Sequence, residues 1–70
     1  MENGAHYVIH NISTPYEYVS WSYDEDDVVF GLRRERFTRA QAAHALASIP
    51  RDMRHHFRIE RVPAKIEGQP

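Results

Sequence analysis

The segment from Thr38 to Pro50 constrains this chain more than any other feature. Thr38-Arg39-Ala40-Gln41 has the spacing of a capping box. In that motif the Thr side chain accepts from the backbone three residues on, and the Gln side chain reaches back to the Thr N–H. Phe37, just ahead, is placed to pack on Ala42 as a weak staple, since Ala offers little surface. Ala40 to Ser48 is rich in alanine, the strongest helix former. Pro50 stops the helix and pushes Ile49 out of helical angles. The segment therefore predicts one helix over about 38–49. Ala42, Ala43, Leu46 and Ile49 would share one side of it, with Gln41, His44 and Ser48 opposite. An alanine side lets such a helix sit close on a sheet.

The rest of the chain reads as strands and turns. Tyr7-Val8-Ile9-His10 is rich in aromatic and β-branched residues and predicts a short strand. Ser13-Thr14-Pro15 is a turn signal, because Pro fixes its own φ and restricts Thr14. From Tyr16 to Tyr23 the pattern has period two, with bulk on both faces. Asp24-Glu25-Asp26-Asp27 interrupts it with turn-forming residues, and Val28 to Arg34 resumes as a strand. An antiparallel hairpin is the simplest arrangement. Gly31 inside its second arm suggests a bulge or a close neighbour. Residues 53–62 return to period two. Met53, His55, Phe57 and Ile59 would face one way, and Arg54, His56, Arg58 and Glu60 the other, as a cationic outer face. The expected class is thus α+β, with the order β-β-β-α-β. A small antiparallel sheet of three or four strands would carry one helix on one face. Residues 1–5 read as a loose lead, residues 1–62 as one domain and residues 63–70 as a flexible tail. The second sheet face and the sheet edges are left for solvent or a partner.

Size narrows what such a fold can do. With 70 residues there is room for one domain, and one this small buries only about 60% of its unfolded surface. Eight aromatics partly compensate, and a partner or a second copy would add burial. The absence of Cys excludes disulfides, thiol nucleophiles and thiolate metal sites. No apolar run approaches the length of a membrane helix, and Met1-Glu2-Asn3-Gly4 lacks the features of a signal peptide. The expectation is a cytoplasmic protein.

Catalytic and metal chemistry find no motif. Ser13, Ser20, Ser22 and Ser48 lack a nucleophile-elbow context, and the three Gly form no phosphate loop. His6 and His10 have helical ligand spacing, but in a strand four residues span roughly 13 Å. His55 and His56 would point to opposite faces of a strand, and His44 to the exposed side of the helix. The Asp24–Asp27 run lacks the spacing of a calcium loop. No enzyme activity, cofactor or metal is expected.

Charge is where the sequence becomes informative. The net charge is only −1, but residues 1–27 carry six acidic and no basic side chains. Residues 28–70 carry nine basic and four acidic ones, so the chain divides into −6 and +5. Four successive carboxylates, Asp24, Glu25, Asp26 and Asp27, repel one another, and a cationic partner relieves that repulsion. Together with Glu17 they form a candidate acidic contact. Tyr16, Tyr18, Trp21 and Tyr23 form a candidate aromatic contact beside it, since Tyr and Trp are common interface anchors. Arg33, Arg34, Arg36, Arg54 and Arg58 form a candidate basic patch, suited to bidentate contacts with carboxylate or phosphate.

These features point to a non-enzymatic protein-binding module that occupies a site on a larger protein or nucleoprotein complex, with no role for a membrane. In size and plainness the chain resembles small phage-encoded or accessory inhibitors such as anti-CRISPR proteins. That resemblance implies an inhibitor or modulator whose acidic patch competes with nucleic acid for a basic groove. One alternative is a small Arg-rich nucleic-acid-binding or regulatory protein. It lacks a strongly basic pI and any RNA- or DNA-binding motif. Another is a homodimeric accessory subunit joined through a sheet edge.

Overall fold

In a computed structural model, residues 6–63 are described. The expected loose lead over residues 1–5 lies outside the described residues. So does the expected tail over 63–70, apart from Pro63, which is exposed. The elements are β1 (His6–Asn11), β2 (Tyr18–Ser22), β3 (Asp27–Gly31), α1 (Arg39–Ser48), a 3₁₀ turn at Arg54–His56, and β4 (Phe57–Val62). The strands form one antiparallel sheet with the spatial order β3-β2-β1-β4. The α+β class, the order β-β-β-α-β and the single helix on one face agree with the sequence expectation, with four strands in the sheet.

The ladder is uneven. β2 and β3 pair from Ser22↔Asp27 to Tyr18↔Gly31, and β1 and β4 pair from Asn11↔Phe57 to His6↔Val62. Between them, β1 and β2 pair only at His10↔Tyr18. Further along, these two strands diverge and the chain after β3 fills the gap. Tyr7 exchanges two backbone hydrogen bonds with Phe37, at 2.9 and 2.8 Å. The Trp21 backbone N–H donates to Glu35 Oε1 at 2.8 Å. Residues 35–37 thus satisfy groups that a neighbouring strand would otherwise have to satisfy.

α1 begins as the sequence predicts. Thr38 Oγ1 accepts from the Gln41 N–H at 3.1 Å, and Gln41 Oε1 accepts from the Thr38 N–H at 2.9 Å. The core lies between this helix and the sheet. It contains Ile9, Val19, Phe37, Ala42, Ala45, Ile49 and Phe57, with Tyr7, Trp21, Val28, Phe30, Leu46 and Ile59 packed around it. The helix is rotated from the expected orientation: Ala45 is buried and Ala43 is exposed. Alanines all round a helix leave its facing undetermined by its own pattern. Buried Phe37 before the helix and Ile49 after it set the rotation, so the stripe runs through 42, 45, 46 and 49.

Two strand expectations are corrected. β3 ends at Gly31 rather than Arg34, its pairing with β2 is unbroken, and a Cβ at Gly31 would meet nothing within 4 Å. Gly31 therefore marks neither a bulge nor a close approach. Residues 53–56 are not strand but a turn and the 3₁₀ segment. After Pro50 the chain must reverse within a few residues to lie antiparallel to β1. It does so with the Met53 N–H donating to Pro50 O at 2.9 Å and the His56 N–H to Met53 O at 3.0 Å. In consequence the His55 and His56 rings lie 4.0 Å apart instead of pointing to opposite faces. The Arg54 guanidinium donates to the carbonyls of Ala47 and Ile49 at 3.1 and 2.9 Å. It caps a helix that has no basic residue in its own last turn.

The outer face of β4 is mixed rather than cationic. Arg58, Glu60 and Val62 alternate with Phe57, Ile59 and Arg61, and His10 Nε2 lies 3.5 Å from Glu60 Oε1. The sheet face away from α1 is partly covered by the chain's own connector between β3 and α1. Arg34 Cζ sits 5.8 Å from the Tyr18 ring centroid, and Val8 and Ser20 are buried on that side. Among the described residues no helix is long and apolar enough to cross a membrane.

Candidate functional site

The β2–β3 hairpin divides its side chains between two faces. Val19 and Trp21 point toward α1, while Tyr18 and Ser20 point away. After Ser22 the chain turns through residues 23–26, and the Ser22 hydroxyl accepts from the Glu25 N–H at 3.2 Å. Asp26 has φ 57°, a left-handed conformation that Asp tolerates better than most residues. Asp27 opens β3, and its carboxylate accepts from the Val28 N–H at 2.7 Å. All four carboxylates are exposed.

Where this turn passes the start of α1, a cavity of about 370 Å³ opens. Trp21, Tyr23 and Asp26 line it from the hairpin, and Phe37, Ala40, Gln41 and His44 from the other side. Trp21 and His44 hold each other at 5.1 Å between ring centroids, tilted by 54°. Tyr23 is 76% exposed and stands at the mouth. Ala40 leaves the space that a longer side chain at the first helical turn would fill. The Gln41 side chain is committed to the capping box. The groove therefore combines aromatic faces, an imidazole and one carboxylate. Aromatic faces attract cations, and a carboxylate pairs with guanidinium or ammonium.

The structure does not gather all the sequence candidates. Trp21 and Tyr23 join Asp26 in one groove, with Asp24 and Glu25 on the same turn and Asp27 at the start of β3. Tyr16 and Glu17 lie before β2, at its opposite end. There Tyr16 is 75% exposed with φ 68°, and Glu17 Oε1 accepts from Asn11 Nδ2 at 2.7 Å. Tyr18 is on the other sheet face beneath Arg34. The arginines fall in three places. Arg33, Arg34 and Arg36 are on the connector, Arg54 is on the 3₁₀ turn with its side chain against the end of α1, and Arg58 is on β4 opposite His10. Arg34 and Arg36 line a small cavity of about 120 Å³ with His6, Val8 and Val62. The groove residues that sequence reasoning missed are His44, Phe37, Ala40 and Gln41. They belong to α1 and, for Phe37, to the connector before it, and only the docking of that segment brings them to the hairpin.

Among the described residues no group of three or more His, Cys, Asp or Glu side chains is placed to hold a metal ion. The fold and groove define a small α+β domain with an acidic, aromatic recess between a hairpin and a helix. Compared with family models, with curated proteins and with solved structures, the chain has no match.

Proposed function

We propose that this protein is a small non-enzymatic binding module whose hairpin groove takes a basic side chain of a larger protein. One observation carries the reading: the cavity joins Trp21, Tyr23 and His44 to Asp26, at a hairpin end that carries four exposed carboxylates. An Arg or Lys side chain entering there meets aromatic faces and a carboxylate together. The neighbouring carboxylates steer it by long-range attraction. Occupying a basic surface that otherwise holds nucleic acid is how such a module would inhibit or modulate its partner. Direct nucleic-acid binding is less supported, because Arg54 and Arg58 are separated from the connector arginines.

Trp21 is the only Trp, so its fluorescence reports on the groove. Titration with an Arg-rich peptide at low salt is expected to shift Trp21 emission, and an acidic peptide is expected to leave it unchanged. Asp26→Lys and Tyr23→Ala should each weaken binding about tenfold, given cation–π and charge contributions of roughly 1–2 kcal/mol. An unchanged spectrum with the basic peptide, or equal binding by Asp26→Lys, refutes the groove reading.

A further inference from the structure

The two edges of the sheet are unlike. β4 presents Arg58, Glu60 and Arg61 and is followed by Pro63, residues that discourage pairing with another strand. β3, the other edge, has one charge at its start, Asp27, and then Val28, Val29, Phe30 and Gly31. Its Val29 is 41% exposed, and Leu32 just beyond it is 81% exposed.

The direction of the β3 backbone follows from Trp21. The Trp21 N–H points to Glu35, away from β3, so Trp21↔Val28 is a pair without mutual hydrogen bonds. By alternation, the backbone groups of Val28 and Phe30 point out along the open edge. The Val28 N–H is held by its neighbour's carboxylate, Asp27 Oδ1. The Val28 carbonyl and both Phe30 groups face outward, and among the described residues no strand lies beside them.

Charges flank this edge with opposite sign on either side of Val29. Asp24, Glu25, Asp26 and Asp27 precede it, and Arg33 and Arg34 follow it. Among the described residues, Asp24, Glu25, Arg33 and Arg34 make no ion pair with one another. Antiparallel pairing with a second β3 strand, centred on Val29, sets Val28 opposite Phe30 of the second copy, so their outward backbone groups meet. It sets Asp27 opposite Gly31 and brings the acidic turn of each copy toward the end of the other copy's β3, where Arg33 follows. A two-fold axis repeats each contact. It also places Val29 against its own symmetry mate, covering apolar surface that is open in the single chain. Asp24, Val29, Leu32 and Arg33, with Ser20 and Ser22 of β2, line a groove of about 610 Å³ on the hairpin face away from α1, acidic at one end and basic at the other.

We propose that the protein forms a two-fold symmetric homodimer by pairing β3 with β3 of a second copy, extending the sheet across both chains. The Asp27 carboxylate would release the Val28 N–H to the second copy. The helix-side groove holding His44 and Asp26 is not consumed, so the dimer presents it twice. The dimer needs no partner but the chain itself and is independent of what that groove binds.

The experiment is light scattering of the purified chain over a concentration series. The expected mass rises to twice the 8.2 kDa chain mass, and the transition moves to higher concentration as salt is raised. The reversed chains Arg33→Glu, and Asp24→Lys with Glu25→Lys, should each dimerise about tenfold or more weakly, because like charges then face each other. Mixing the two reversed chains should restore a dimer, since each supplies the sign that the other lacks. Exchange of the Phe30 amide should slow as concentration rises. A monomer at every concentration, an unaffected dimer in either reversed chain, a mixture that stays monomeric, or a Phe30 amide indifferent to concentration overturns the proposal.

Discussion

Replacing Glu35 by Ala removes the carboxylate that bridges the gap between β1 and β2. The Trp21 N–H then loses its acceptor, and the diverging strands offer it no carbonyl. An unsatisfied buried donor costs about 1–3 kcal/mol, and a charged acceptor makes a bond stronger than a neutral one. Glu35 and Trp21 are both half-buried, so water recovers part of that loss, and about 1–2 kcal/mol remains. A domain of 70 residues is stable by roughly 4–10 kcal/mol, so the loss is a sizeable fraction. It corresponds to a fall in Tm of about 5–15 °C. Glu35→Gln keeps an oxygen at the same reach and gives up only the charge, so it should lose less than half as much. Urea unfolding followed by Trp21 fluorescence and by far-ultraviolet circular dichroism measures both variants. The midpoint should fall with an unchanged slope, because the surface exposed on unfolding is the same. Ala and Gln variants that lose equal stability, or an Ala variant within about 0.3 kcal/mol of the parent, would refute the reasoning, since additive surface effects are of that size. The gap would then be held by the Tyr7–Phe37 pair alone.

Other substitutions test other joints of the fold. Arg54→Met should cost about 1–2 kcal/mol in urea melts by uncapping the last carbonyls of α1, and Arg54→Lys should recover part of it. Ile49→Ala empties a site that is only 1% exposed and should cost about 2–5 kcal/mol, read as a lower thermal midpoint. Thr38→Ala removes half of the capping box and should cost about 1 kcal/mol. Gly31→Ala should be neutral or gain up to about 1 kcal/mol, because its Cβ meets nothing and the unfolded chain loses freedom.

What the sequence made legible was local. The capping box and the Pro50 stop are each encoded by residues a few positions apart and occur where the pattern placed them, while the acidic turn falls one residue early, at 23–26, with Asp27 already in β3. What it hid was set by packing over distance. Ala43 and Ala45 are chemically identical, so only the burial of Phe37 and Ile49 decides which of them faces the sheet. Residues 53–56 alternate like a strand by coincidence, and the need to turn back toward β1 overrides that alternation. Glu35 carries no local signal, because its role exists only where two strands part. For the groove, Trp21, Tyr23 and Asp26 were visible as candidates, whereas His44 became one only through the docking of α1. Glu17 and Tyr16, close in sequence to the acidic turn, are separated from it by the length of β2.

The single point of pairing between β1 and β2 also bears on how the chain folds. β2 and β3 are joined by a short turn and can pair within about 1–10 μs, as hairpins do. β1 and β4 bring Asn11 to Phe57, so the loop they close contains the hairpin and the helix. Closing a long loop costs entropy before contacts repay it, by about 0.6 kcal/mol for each doubling of length. With only His10↔Tyr18 to template it on the hairpin, β1 gains little until β4 arrives. The clasp of the outer sequence segments should therefore form after the rate-limiting barrier. Weakening it at Ile59 should speed unfolding, and weakening the hairpin at Val19 should slow folding.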